Sequence, residues 1–485
     1  MNTSDRNISA ETQASESATA PAATSVAATA NAVSWSKALK RYANFLEWRE
    51  LHITDSGFVL ILAAIIGIFT GVSAWFLKLM IARVTQWGHG LVSLAGADWL
   101  IIFLPVIGIT ITGLLFREKV SNGVERMVGD FKVGNYSLKW NTIYGSMIGS
   151  ALTLGCGGTA GSEGPIAYTG AGIGSKLGRF FRVNPRMMRI LVGCGAAAGI
   201  AGIFKAPIGG ALFTLEVLRL ELTTIAIMGV FLSALGAALT AYILSGYTLD
   251  ITVTSPGIWD SSTLLWVVAL GIFSGLYSLY YTWTGGLVKK SLSGDSQRWF
   301  RWVSSGLLIG LMIYLFPDLY GEGYGVISSI LNHHEAAAGT WWLLNKLKFA
   351  PLVIIAACVG MLLFKGAGSS AANNGGGVAG DFAPTLFAGC LVGLLFGETI
   401  NYFGFAELNI AHCALIGMGA TMAGIIRAPL MAIFLTTEMV GGVNFLLPVS
   451  VAALISYCIV MLFKRDTFYH SSPFASAVPQ IEIEK

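Results

Sequence analysis

Six stretches of this chain carry almost no charge, and they limit what it can fold into more than any other feature. Residues 57–82 hold one basic side chain, Lys78, and residues 99–116 hold no charged side chain. Residues 225–244, 264–287, 352–364 and 446–463 are similarly apolar. A helix rising ~1.5 Å per residue needs ~20 such residues to cross the hydrocarbon core of a bilayer. Of the 485 residues, 54% are hydrophobic and 12% charged, about half the charge of a soluble domain. The chain therefore reads as an all-α polytopic membrane protein, and its length allows well over ten membrane helices.

The basic residues sit at segment ends. Lys37, Lys40, Arg41 and Arg49 precede the first long apolar segment, and Lys464 and Arg465 follow the last. That placement is not a nucleic-acid stripe, and the net charge of +4 argues for no particular partner. By the positive-inside bias, both termini are expected in the cytoplasm. The first apolar stretch of useful length begins near Phe58, so no cleaved secretory leader is expected.

Glycine is the second signal. The 59 glycines concentrate in residues 145–210 and 360–397, where glycine and proline cut the apolar pieces too short to span. Broken backbone survives in a membrane only where it is buried in protein or lines an aqueous cavity. Two such regions, one in each half, point to a duplicated fold with its site between the halves, the pattern of transporters with inverted-topology repeats and discontinuous helices. The two halves share almost no visible sequence. The expected organisation is a disordered, Ala/Ser/Thr-rich tail at 1–33 and a first membrane repeat at 34–245. That repeat opens with an amphipathic lead-in helix carrying Trp35, Tyr42, Phe45, Leu46 and Trp48. A polar inter-repeat loop at 246–262 leads to a second membrane repeat at 263–465, then a C-terminal helix and short tail at 466–485. No soluble regulatory domain is expected after Tyr469.

Two constellations carry chemistry. The first is Gly161-Ser162-Glu163-Gly164-Pro165, followed by a glycine-spaced helix. Proline suits the first helical turn, and the glycines let backbone N–H groups approach a ligand closely. Such a helix start is an anion site. Glu163 sets an ionisable carboxylate there, which inside a membrane points to function; the plainer alternative is an acid that only stabilises the helix dipole. The second is Gly375-Gly376-Gly377-Val378-Ala379-Gly380-Asp381-Phe382-Ala383-Pro384. It repeats the layout, and two such starts could face one ion.

Gly-x-Glu-Gly-Pro in the first half with Gly-x-Phe-x-Pro in the second resembles the CLC family of chloride channels and chloride/proton antiporters. The resemblance runs over roughly residues 55–475. It includes residues 193–216, Arg427-Ala428-Pro429 through Thr437-Glu438-Met439, and Asp466-Thr467-Phe468-Tyr469. It implies a CLC-type fold of two inverted repeats with broken helices meeting at a central anion site. It also implies that Glu163 is the gate and proton carrier. Backbone groups of Gly123, Gly161, Ser162, Gly164, Asp381 and Phe382 would line the anion path, with Asn122 and the Tyr469 hydroxyl beside them. Tyr469 by itself would read as an interfacial belt tyrosine.

The sequence departs from the family pattern at two points. The family's Gly-Ser-Gly-x-Pro becomes Ser121-Asn122-Gly123-Val124-Glu125, so Asn122 stands at the serine and Glu125 at the proline. An amide NH2 still donates to an anion, but a bulkier amide with its own acceptor bears on selectivity. The internal proton-relay glutamate of many antiporters falls at Val217. Glu216 and Glu221 lie nearby as substitutes on a possible internal proton path, although a structural Glu216 and a solvated Glu221 are the simpler readings. Lys205, in Phe204-Lys205-Ala206-Pro207, either raises the potential of the inner vestibule or snorkels to the interface.

Other features read as structure. Gly170, Gly174 and Gly178 fall four apart on one face, which suits helix packing in a membrane; the Gly170–Lys176 stretch lacks the strand a nucleotide loop requires. Cys156, Cys194, Cys358, Cys390, Cys413 and Cys458 read as small hydrophobes without disulfide or metal roles, and His333 and His334 as solvated loop residues. No nucleophile–base pair or metal cluster suggests an enzyme, and no cofactor is expected. The favoured function is chloride transport as a proton-coupled antiporter gated by Glu163. The alternatives are a passive voltage- or pH-gated chloride channel and, more remotely, a fluoride- or nitrate-selective transporter of the same type. The expected partners are chloride, protons, the lipid bilayer and a second copy in a homodimer, without nucleic acid. The expected location is a bacterial inner (plasma) membrane.

Overall fold

The computed structural model describes residues 40–116, 123–249, 251, 259–292, 297–332 and 351–463. Asn122, Tyr469, His333, His334 and the tails at 1–33 and 466–485 lie outside the described residues. The chain divides into two compact units, residues 1–57 and 58–485. In the first, a helix over residues 40–52 (α1) carries part of the expected lead-in helix, and Arg49 pairs with Asp55 at 2.7 Å.

The helices that follow are α2 (Asp55–Ala95), α3 (Phe103–Phe116), α4 (Gly123–Val133), α5 (Trp140–Gly155), α6 (Glu163–Phe180), α7 (Pro185–Phe204), α8 (Pro207–Glu216) and α9 (Thr224–Leu244). The second half continues with α10 (Leu264–Leu292), α11 (Arg298–Leu315), α12 (Tyr324–Leu331), α13 (Pro351–Asn374), α14 (Phe382–Tyr402), α15 (Ile410–Ile426), α16 (Pro429–Val440) and α17 (Leu446–Phe463). Among the described residues, 8 helical segments are long and apolar enough to cross a bilayer. Shorter helices such as α8 and α16 accompany them.

Burial sorts the spans into an inner and an outer set. The apolar window of α7 is 83% buried and that of α14 78%, against 33–39% for α3, α9, α10 and α17. The outer helices turn side chains such as Leu235, Leu239 and Leu265 outward, where a bilayer supplies the apolar surroundings. The inner helices pack through small residues. A Cβ at Gly170 or Gly174 would run into the carbonyls of Gly195 or Leu191 on α7. In the second half, Gly389 and Gly393 of α14 meet the carbonyls of Gly417 and Cys413 on α15 in the same manner. The four-residue glycine spacing is a packing face, as small-xxx-small helix contacts in membranes require.

The two halves repeat one another locally. α7 begins at Asn184, whose side chain accepts from the Met187 amide, and α15 begins at Asn409, which accepts from the His412 amide. α7 ends at Lys205 and α15 at Arg427, both left-handed, and each is followed by Ala-Pro and a short helix. Glu216, at the end of α8, accepts from the Leu430 (3.2 Å) and Met431 (2.8 Å) amides at the start of α16. Glu438, near the end of α16, accepts from the Ile208 (3.0 Å) and Gly209 (2.7 Å) amides at the start of α8. This exchange is the signature of a two-fold relation between inverted repeats. The Lys205 Nζ donates to the Thr248 carbonyl at 2.7 Å.

Candidate functional site

The two broken-helix motifs meet at their glycines. The Gly161 N–H donates to the Gly380 carbonyl at 2.9 Å, and the Gly380 N–H donates back to the Gly161 carbonyl at 2.6 Å. This isolated antiparallel bridge holds the start of α6 against the start of α14. Glycine is required at both positions. A Cβ at Gly380 would stand 2.7 Å from the Gly164 nitrogen, and one at Gly161 would collide with the Glu163 carboxylate. The start of α4 joins them, since a Cβ at Gly123 would lie 2.6 Å from the Gly164 carbonyl oxygen. Three helix starts therefore converge round Gly164. First-turn N–H groups have no acceptor within their own helix, and each start carries roughly half a positive charge. Their convergence creates a backbone-lined place for an anion.

Glu163 fills that place. It is fully buried, the first residue of α6, and its Oε1 accepts from the Tyr324 hydroxyl at 2.6 Å. Its Oε2 has no hydrogen-bond partner among the described residues. The backbone amides of Glu163 itself and of Ala383, in the first turn of α14, face the carboxylate. An anionic side chain thus sits where an inorganic anion would be held, touched by both repeats. Pro165 and Pro384 lie in the two first turns, where the missing N–H costs nothing.

A second carboxylate flanks the first. Glu322 Oε1 accepts from the Ser162 amide at 3.0 Å and from the Ser162 hydroxyl. Two lysines lie near this cluster. Lys365 is fully buried on α13, donates to the Thr159 hydroxyl at 2.8 Å and stands 4.4 Å from the centre of the Phe387 ring. Lys78 lies 5.0 Å from the centre of the Tyr324 ring.

The remaining sequence-derived residues fall as follows. The Gly161 and Ser162 amides point to Gly380 and Glu322, while Gly164 stands at the centre of the junction. Asp381 precedes α14 and turns its carboxylate toward α13, accepting from Ser369 Oγ at 2.7 Å and Asn373 Nδ2 at 2.8 Å. That orientation leaves the helix start presented as backbone. Phe382 is fully buried and meets Phe213 of α8 edge-on, with ring centres 5.5 Å apart. Glu125, at the family's proline position, forms an ion pair with Lys289 at 3.0 Å, tying the start of α4 to the end of α10. Glu216 is occupied by the α16 amides. Val217 is buried. Glu221 pairs with Arg189. Glu322, Tyr324 and Lys365 are absent from the sequence reading. The available signal was an acid and a tyrosine in Gly321-Glu322-Gly323-Tyr324 and a lone lysine within an apolar helix.

This fold defines an integral membrane protein whose candidate site lies at the junction of broken helices. Residues 106–461, well over half the chain, match the family model described as voltage gated chloride channel, and the chain belongs to that CLC family. A putative chloride channel protein, ClcB-like, of Ralstonia nicotianae is 28% identical over 397 residues, covering 77% of this chain and 87% of the relative. The H(+)/Cl(-) exchange transporter ClcA of Vibrio cholerae is 28% identical over 430 residues, covering 85% and 88%. Among solved structures, a slow cyanobacterial Cl-/H+ antiporter superposes with a TM-score of 0.74 at 23% identity, covering 85% of this chain and 96% of that one. A CLC-type fluoride/proton antiporter gives 0.67 at 22% identity, covering 84% and 95%. These two likenesses establish the fold.

Proposed function

We infer that the chain exchanges chloride for protons across a membrane, with Glu163 as both gate and proton carrier. The observation that carries this reading is the buried Glu163 carboxylate lying between the starts of α6 and α14. A chloride ion and an ionised carboxylate compete for the same positive site. Protonation removes the charge that holds the side chain there, the side chain leaves, and a dehydrated anion takes its place. When the side chain gives up its proton on the other side, it competes again and the anion departs. Anion and proton therefore move in opposite directions through one site. The family relatives named as chloride/proton exchangers support this reading over a passive channel.

The chain's work is transport and not bond-making chemistry. Within the same reading, it sits in a bacterial inner membrane with both termini in the cytoplasm and acts as a homodimer with one pathway per subunit. The anion path would extend past Gly123 to Asn122 and Tyr469. Radiolabelled chloride uptake and proton movement in liposomes test the proposal. The wild-type chain should move both, and Glu163→Gln should keep chloride flux at or above the wild-type rate while proton movement disappears. Chloride flux without any proton movement in the wild type would instead establish a channel.

A further inference from the structure

The turn between α11 and α12 contains Gly321-Glu322-Gly323-Tyr324. Both glycines are left-handed, with φ of +66° and +82°, a region in which L side chains are strained. A Cβ at Gly323 would run into the Phe387 ring. The backbone here is shaped to deliver Glu322 and Tyr324 together, and they reach consecutive residues at the start of α6. Tyr324 donates to Glu163, while Glu322 accepts both hydrogens that buried Ser162 offers, from its amide and its hydroxyl.

The position of the turn gives this contact a direction. Tyr320, just before the turn, donates to the Gly155 carbonyl at 2.6 Å and packs on His89, with ring centres 4.7 Å apart. His89 lies close to the end of α2. The turn is therefore at the opposite end of α2 from its start, which is the external side if α2 leaves the cytoplasm.

We propose that Glu322 is a second carboxylate gate at the outer end of the anion path. This rests on the transport reading above, and it assigns the acid a role separate from that of Glu163. Ionised Glu322 occupies the Ser162 donors at the outermost part of the α6 start. It also sets a negative charge where an anion must pass even after Glu163 has moved away. A proton taken from the external solution onto the Glu322 carboxylate removes that charge, and the Ser162 N–H and O–H become available to the entering anion. No covalent bond other than the acid's O–H forms or breaks. Among the described residues, the ionisable groups on the elements packed round the turn include Glu163 on α6, Tyr324 on α12, Lys78 and His89 on α2, Asp318 and Tyr320 before the turn and Lys365 on α13.

The test is chloride efflux from liposomes containing the full chain, with external pH varied and internal pH fixed. Wild-type flux should rise as the outside is acidified, more steeply than one titrating group allows. Glu322→Gln should raise flux at neutral pH about tenfold, the scale of one lost hydrogen-bonded contact to a charged group. It should also reduce the external pH dependence to a single protonation and leave proton coupling in place. Glu163→Gln should retain the Glu322 step, and the double variant should be insensitive to external pH. Glu322→Asp, too short to span the same gap, should raise neutral-pH flux yet keep two titrating groups, which gives an independent reading if the glutamine variant misfolds. The proposal is overturned if Glu322→Gln leaves rate and pH profile unchanged, or scales flux equally at every pH as a purely structural cap would. A wild-type chain carrying chloride without protons would overturn the antiport reading alone. One carrying no chloride would overturn both.

Discussion

At the scale of single side chains, the proposed gating turns on the contact between Tyr324 and Glu163. In that proposal the tyrosine hydroxyl donates to a carboxylate that must leave its site for an anion to enter, so it holds the closed position. Hydrogen bonds to charged groups contribute about 1.5–3 kcal/mol. Tyr324→Phe removes the donor and leaves the ring against Phe204. It should raise chloride turnover at neutral pH by roughly tenfold, with proton coupling preserved; stopped-flow chloride efflux checks this, and unchanged turnover would show that the bond does not restrain the gate. Glu163 was legible in the sequence because its surroundings are local: glycine, proline and a helix start lie within two residues of it. Glu322 was not legible, because Ser162 is 160 residues away along the chain and nothing near Glu322 encodes its partner. Asp381 was legible only in part. Its place before α14 could be read, but its turn toward Ser369 and Asn373 could not, since those residues come from the preceding helix.

Among the elements, α8 and α16 form the clearest pair. Each carries at or near its end a glutamate that receives two backbone N–H groups from the start of the other. These are charge-assisted bonds at a helix N-terminus, where a carboxylate is favoured by both the hydrogen bonds and the dipole. Replacing either with glutamine keeps one acceptor oxygen and removes the charge. Glu216→Gln and Glu438→Gln should each destabilise the fold by about 1–3 kcal/mol, seen as a lower unfolding midpoint in detergent. Near-equal losses are expected because the contacts are equivalent by the repeat, and a loss in only one variant would argue against that equivalence. The repeat was present in the sequence as Lys205-Ala206-Pro207 ending at Glu216 and Arg427-Ala428-Pro429 ending at Glu438, with equal spacing. It passed unnoticed because most intervening residues face different neighbours and share no identity. Apolar content alone does not separate spanning from broken helices, because short helices buried in protein are apolar too.

The whole molecule joins two halves at a bridge between Gly161 and Gly380, and the function proposed above follows from that geometry. Neither half alone makes the site: α6 supplies the gate and one helix start, and α14 supplies the other start. The overall class was legible because a chain this apolar has few folds open to it, and because glycine-broken segments in both halves mark where backbone must face an ion. The most direct test of the central claim, that the Glu163 carboxylate competes with chloride for the shared site, is the reversal potential of the reconstituted chain in opposed chloride and pH gradients. The wild type should reverse at a potential that shifts with the pH gradient, and Glu163→Gln should reverse at the chloride equilibrium potential whatever the pH. A pH-dependent reversal that persists in Glu163→Gln would contradict the account.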